Sequence, residues 1–151
     1  MKERSAQKTL KSEFETIYTV DDYWDGPLEG VADYLGKPHY YKCVFDEERE
    51  VWTHDFILTP IDSETLDLVL EAWAIWLRWE TEFNKGNNSL DSHPALPEDR
   101  LRQEQLHDIL ATRLRVNSDK EFRVHGQFEA MIAGEHQPRS QARWRVLWTA
   151  K

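Results

Sequence analysis

Apolar and polar residues first alternate along the chain with the two-residue period of a strand. Phe14, Thr16, Tyr18 and Val20 fall on one face of a first predicted strand, Phe14–Val20. It runs into Asp21-Asp22-Tyr23-Trp24-Asp25-Gly26-Pro27, a turn-rich stretch holding two large aromatics. A second strand is expected at Gly30–Tyr34, closed by the turn Leu35-Gly36-Lys37-Pro38. His39–Phe45 and Trp52–Leu58 flank Asp46–Val51 and predict a hairpin. Pairing Phe45 with Trp52 sets Cys43 opposite His54, Tyr41 opposite Phe56 and His39 opposite Leu58. On the other face it sets Lys42 opposite Asp55, Tyr40 opposite Ile57 and Val44 opposite Thr53.

The period then changes. Thr59-Pro60-Ile61 ends the strand, and Asp62 or Ser63 is placed to cap a helix by accepting from its free first-turn amides. That helix is apolar around most of its circumference, with only Asp67, Glu71, Arg78 and Glu82 as a polar stripe, so packing on more than one side is expected. It should run to Lys85 and stop at Gly86. After the polar loop Asn87–Leu96, Pro97 opens a second helix ending near Val116, with Leu101, Leu106, Ile109, Leu110 and Leu114 as its stripe. Strands are expected again at Glu121–Ala130 and Arg143–Thr149, joined by a polar, mobile loop over Ala133–Gln141.

Four strands, two helices and two strands, without βαβ alternation, make an α+β fold. Its sheet of about six strands is mainly antiparallel, and the two-helix hairpin lies between strands four and five. The segment Gly30-Val31-Ala32-Asp33-Tyr34, following an acidic aromatic loop, resembles small SH3-like barrels. The resemblance implies a partly open barrel and no particular function. Residues 13–151 read as one domain, preceded by a flexible basic arm over residues 1–12 that carries Lys2, Arg4, Lys8 and Lys11.

Composition changes this picture in two ways. Apolar residues make up only 40% of the 151, but 7 Trp, 5 Tyr and 6 Phe bring enough ring area to close a core. The net charge of −9 is also unevenly spread: residues 13–82 hold 18 acidic and 4 basic side chains, a net of −14. Such a segment repels phosphate backbones and steers basic partners, so nucleic-acid binding through this half is disfavoured. The plain alternative is that the acids only keep the protein soluble. The lone Cys43 excludes an internal disulfide, the first residues lack a signal-type apolar core, and no apolar stretch is long enough to span a bilayer. Together these suit a cytoplasmic protein without a membrane role.

The candidate chemistry is sparse. Cys43 and His54 are the one Cys–His pair that the derived register brings together, yet their apolar neighbours suggest a quiet core thiol and no residue is placed to orient the imidazole. His39 and Cys43 stand roughly 13 Å apart by strand rise, too far to share a zinc ion, so no metal is expected. Asp21, Asp22, Asp25, Glu29 and Asp33 lack the spacing of a calcium loop. They are either solvated loop acids or, with Tyr23 and Trp24, a recognition surface for a basic protein; the binding residues expected are Asp21, Asp22, Tyr23, Trp24, Asp25 and Asp33. Trp73, Trp76 and Trp79 recur every three residues and could form core, the lining of a ligand pocket against the sheet, or a homodimer interface. Arg143 and Arg145 read as guards of an edge strand or as an anion site. No phosphate-binding glycine loop, nucleophile elbow or zinc-binding helix motif occurs, and no cofactor is implied. A non-catalytic, acidic protein-binding or inhibitor-type module is the reading these features favour. A small enzyme or ligand binder with its site between the Trp-rich helix and the sheet is the alternative.

Overall fold

A computed structural model describes residues 13–131 and 143–150. The basic arm and the whole loop expected between the last two strands lie outside the described residues. Six strands occur: β1 (Glu15–Tyr23), β2 (Pro27–Tyr34), β3 (Lys37–Asp46), β4 (Val51–Pro60), β5 (Phe122–Met131) and β6 (Arg143–Ala150). Two helices, α1 (Ser63–Asn84) and α2 (Arg100–Arg113), stand between β4 and β5 with short 3-10 turns at Leu90–Ser92 and Pro97–Asp99. Backbone contacts divide the chain into two compact units, one running up to Ile61 and resuming at Val116, the other spanning Asp62–Arg115. No helix among the described residues is long and apolar enough to cross a membrane.

In the first unit every strand pairs antiparallel with its sequence neighbours, and β1 pairs with β6 to close a barrel. Closure is complete where a partly open barrel was expected. It also removes the edge position assigned to Arg145, which is paired with Thr16 on one side and Glu129 on the other, whereas Arg143 is paired with Met131 alone. Arg145 instead pairs with Glu129 and lies 4.2 Å over the Phe14 ring.

The lumen is filled by Leu28, Ala32, Tyr41, Cys43, Phe56, Leu58, Val124, Val146 and Trp148. Tyr41 and Leu58 are fully buried, each contributing about 1.5–3 kcal/mol by removal from water. Tyr41, Phe56, Phe128 and Trp148 meet with ring centroids 5.1–6.3 Å apart. Two glycines make that crowding feasible. A Cβ on Gly126 would stand 2.6 Å from the Trp148 ring, and one on Gly30 would stand 2.2 Å from the Thr19 carbonyl oxygen. Through the gap at Gly30 the Tyr41 hydroxyl donates to that carbonyl at 2.9 Å.

Two registers differ from expectation. In β1, Ile17 and Thr19 turn inward or are buried, while Thr16 is exposed, the reverse of the face read from the alternation. The Thr19 hydroxyl accepts from the Val31 amide at 3.0 Å, so a polar residue occupies a buried position at little cost. In the β3–β4 hairpin Phe45 does face Trp52, but Cys43 then faces Phe56, Tyr41 faces Leu58 and His39 faces Pro60. On the other face Lys42 meets Ile57 and Tyr40 meets Thr59. β4 carries two extra residues across this bulge, where the Thr53 hydroxyl donates to the Val44 carbonyl at 2.7 Å. A slip of two preserves the side-chain faces, so Cys43, Phe56 and Leu58 still point into the lumen.

In the helical unit, the Asp62 carboxylate caps α1 by accepting from the Thr65 amide at 2.8 Å, and Gly86 ends it at φ +78°. Ile75 of α1, Ala95 and Leu106 of α2 form a small core with Leu68 and Ala72. Two bidentate ion pairs, Arg78–Asp99 and Arg102–Glu71, tie α1 to the α2 segment. The second helix is shorter than its apolar stripe suggested, and Leu101 is 70% exposed. Only Leu106 of that stripe is buried, because α2 meets the rest of the unit along a narrow line.

Candidate aromatic mouth of the barrel

One end of the barrel opens into a cavity of about 570 Å³. The β1–β2 turn supplies Tyr23, Trp24, Asp25 and Gly26, and the β3–β4 turn supplies Phe45, Glu50, Val51 and Trp52. Trp144 of β6 completes the rim, while Leu28, Cys43, Phe56, Gly126 and Phe128 form the floor.

The turns explain how aromatics come to stand at the opening. The Trp24 amide donates to the Gly26 carbonyl at 3.0 Å, Asp25 takes φ +55° and Gly26 takes φ +144°. This tight reversal leaves Trp24 71% exposed. Across the mouth, the Asp46 carboxylate accepts from the amides of Glu48 and Arg49, and Glu50 enters β4 at φ +56°. Both rim acids thus occupy the left-handed region, which costs a glutamate about 1–2 kcal/mol relative to right-handed backbone. Phe45 and Trp52 meet edge to face at 4.8 Å, and Tyr23 and Trp144 tilt together at 5.9 Å. Phe45 and Trp52 are 41% and 39% exposed despite being large and apolar.

The expected binding residues are divided among three places. Tyr23, Trp24 and Asp25 meet at the mouth. Asp22 accepts from the Tyr23 amide at 2.9 Å and so shapes the approach to the turn. Asp21 leads away: its carboxylate accepts from the Thr19 hydroxyl at 3.3 Å, near Glu29, whose own carboxylate accepts from the Tyr40 hydroxyl. Burial around the carboxylate pushes Asp21 up to about 7, and the Glu29 and Asp22 charges add to the rise while the Thr19 bond opposes it. Taken as a whole residue, Asp21 is exposed. Asp33 lies toward the far end of β2, roughly 20 Å from the turn by strand rise. There its carboxylate accepts from the Tyr18 hydroxyl at 2.9 Å and its carbonyl from the Trp148 indole at 2.8 Å. Burial raises its pKa.

Cys43 and His54 both line the cavity, but the bulge removes them from opposite positions. The thiol donates to the Thr53 carbonyl at 3.1 Å, and burial raises it to about 11, which leaves it a poor nucleophile at neutral pH. His54 stands 5.8 Å ring to ring from His125, itself 3.7 Å from the Asp55 carboxylate. His39 is held by its Nδ1–H donating to the Lys37 carbonyl at 2.7 Å, between Tyr34 and Phe122. Among the described residues no three His, Cys, Asp or Glu side chains converge as metal ligands.

None of the helix tryptophans lines the cavity. Trp79 is buried, donates to Ser92 Oγ at 2.9 Å and packs on Phe83 and His93. Trp73 stacks on Trp76 at 5.1 Å. Sequence reasoning missed Phe45, Glu50, Trp52 and Trp144 as parts of a site. The signal available was the Phe45–Trp52 pair, two large rings at the mouth end of a hairpin whose turn is almost wholly acidic. No family model, no curated protein and no solved structure matches this chain.

Proposed function

We propose that the chain is a non-catalytic binding module that takes a basic segment of a partner protein at the aromatic mouth of its barrel. The observation that carries this reading is the cavity lining: seven of its seventeen residues are Trp, Tyr or Phe, and Asp25 and Glu50 carry charge while no Lys or Arg does among the described lining residues. A cation meets ring faces and carboxylates there, while an anion meets repulsion. Within the barrel unit, residues 13–61 hold 12 acidic and 3 basic side chains, a net of −9, which would steer basic segments toward it. A raised thiol in Cys43 and its separation from His54 in register favour binding over nucleophilic chemistry. The lone cysteine suits a reducing, cytoplasmic setting.

The test is a titration of tryptophan fluorescence with defined peptides, Lys/Arg-rich against Asp/Glu-rich. Basic peptides should quench saturably, bind more weakly as salt rises, and lose several-fold in affinity to Asp25→Asn/Glu50→Gln. Equal response to acidic and basic peptides would overturn the reading. The cavity also falls in the size range of small-molecule sites, which favours a second reading, a small-ligand binder using the lumen itself. Saturable binding of a small organic molecule with no response to any basic peptide would select it. A homodimer through Trp73 and Trp76 is independent of both and is decided by light scattering.

A further inference from the structure

Resting on the reading of the mouth as a site for a basic segment, we propose that the group it receives is an alkylated ammonium, a methylated lysine side chain of that segment, in preference to a bare lysine. The chemistry of the walls separates the two. A lysine ammonium brings three N–H donors and a tightly held hydration shell, and burial is costly unless each donor finds an acceptor. The inner wall offers few. Leu28, Phe56, Gly126 and Phe128 of the floor carry no side-chain acceptor, the Thr53 carbonyl already accepts from Cys43, and His54 adds one imidazole. The carboxylates of the lining, Asp25 and Glu50, belong to the two rim turns. Beside these carboxylates the opening presents ring surface from Trp24, Phe45 and Trp52 and from the Tyr23–Trp144 pair.

Methyl groups remove donors, spread the charge over a larger and less hydrated surface, and leave it attracted to the negative faces of rings. The two rim carboxylates then supply long-range attraction without having to make hydrogen bonds to the cation. Size agrees with a side chain carried on a peptide. About 570 Å³ exceeds a lone ammonium group and leaves room for the aliphatic stem and its flanking backbone.

The experiment compares one basic peptide in four forms: with lysine, with trimethyllysine, with arginine, and with a neutral isostere in which carbon replaces the trimethylated nitrogen. Binding is read by tryptophan fluorescence and calorimetry, with tetramethylammonium chloride as the free-cation probe. The trimethylated form should bind about tenfold more tightly than the unmodified one, and the neutral isostere should lose that gain. Trp52→Ala and Trp24→Ala should abolish the preference while leaving weak, salt-sensitive binding of the unmodified peptide. Unchanged circular dichroism and melting shows that these variants fold. Equal binding of the lysine and trimethyllysine forms overturns the inference yet leaves charge-driven docking intact. Preference for the arginine form overturns it too, in favour of a stacked guanidinium. Tetramethylammonium binding as tight as the methylated peptide overturns the protein source in favour of a small organic cation. Failure of all basic forms removes both this inference and the reading beneath it.

Discussion

Gly30→Ala is the sharpest test of how the barrel is assembled. The methyl would stand 2.2 Å from the Thr19 carbonyl oxygen, 1.2 Å short of the 3.4 Å at which ordinary contact begins, and 2.7 Å from the Tyr41 hydroxyl. Rotating a side chain cannot relieve the first clash, because the oxygen is backbone. Thr19 is held as well, its hydroxyl accepting from the Val31 amide and its carbonyl from Tyr41. β1 must therefore retreat from β2, and the buried Tyr41 hydroxyl loses its acceptor. Overpacking costs about 1–3 kcal/mol. An orphaned buried hydroxyl and carbonyl cost about 1–3 kcal/mol more. Replacing glycine in a strand returns about 0.5–1 kcal/mol. The net loss is about 1–5.5 kcal/mol, a large share of the roughly 5–15 kcal/mol that keeps a domain folded. Guanidinium unfolding followed by near-ultraviolet circular dichroism measures it. Tyr41→Phe alone should cost about 1–2 kcal/mol, since only the hydrogen bond is lost. Combining the two should recover only part of the glycine penalty, because the shorter contact is to backbone. A Gly30→Ala loss below about 1 kcal/mol, or a double variant as stable as Tyr41→Phe, refutes the reasoning.

Two further predictions concern titrating groups. The folded pKa of Asp21 is raised from 3.8 to about 7, so between these values the folded chain holds a proton that the unfolded chain releases. Stability attributable to Asp21 therefore falls as pH rises through that window, and Asp21→Asn should gain melting temperature over the native chain at pH 8 but not near pH 4; a gap that does not change with pH refutes this. Cys43, raised to about 11 and buried, should react with iodoacetamide at pH 7.5 far more slowly than the unfolded chain does, and equal rates would show an accessible thiolate.

Much of the architecture is legible in the sequence, because hydrophobic period reports local geometry. Asp62 and Gly86 bound α1 as their cap chemistry dictates. The lumen face of β3 and β4 was read correctly from alternation even though the pairing was not. Alternation carries no record of how many residues a bulge adds, and an even number leaves the faces unchanged. β1 misled because Thr19 is buried through hydrogen bonding, a reason that hydropathy does not encode. Leu101 misled because a stripe shows which face can pack, not how far its partner extends. The site was half legible. Tyr23, Trp24 and Asp25 share one turn and therefore one place, but Asp33 belongs to the other end of the same strand. Phe45, Trp52 and Trp144 join the mouth only once the ring closes, a long-range fact that no local window contains.

The seams of that ring are unequal. Among the described residues β1 meets β6 through two residue pairs, Glu15–Val146 and Thr16–Arg145, whereas neighbouring strands elsewhere share between four and eight. At the mouth the Tyr23 ring meets the Trp144 ring. Local opening concentrates where the fewest amides must be unlatched, so amide hydrogen exchange along this join should be faster than along the other five.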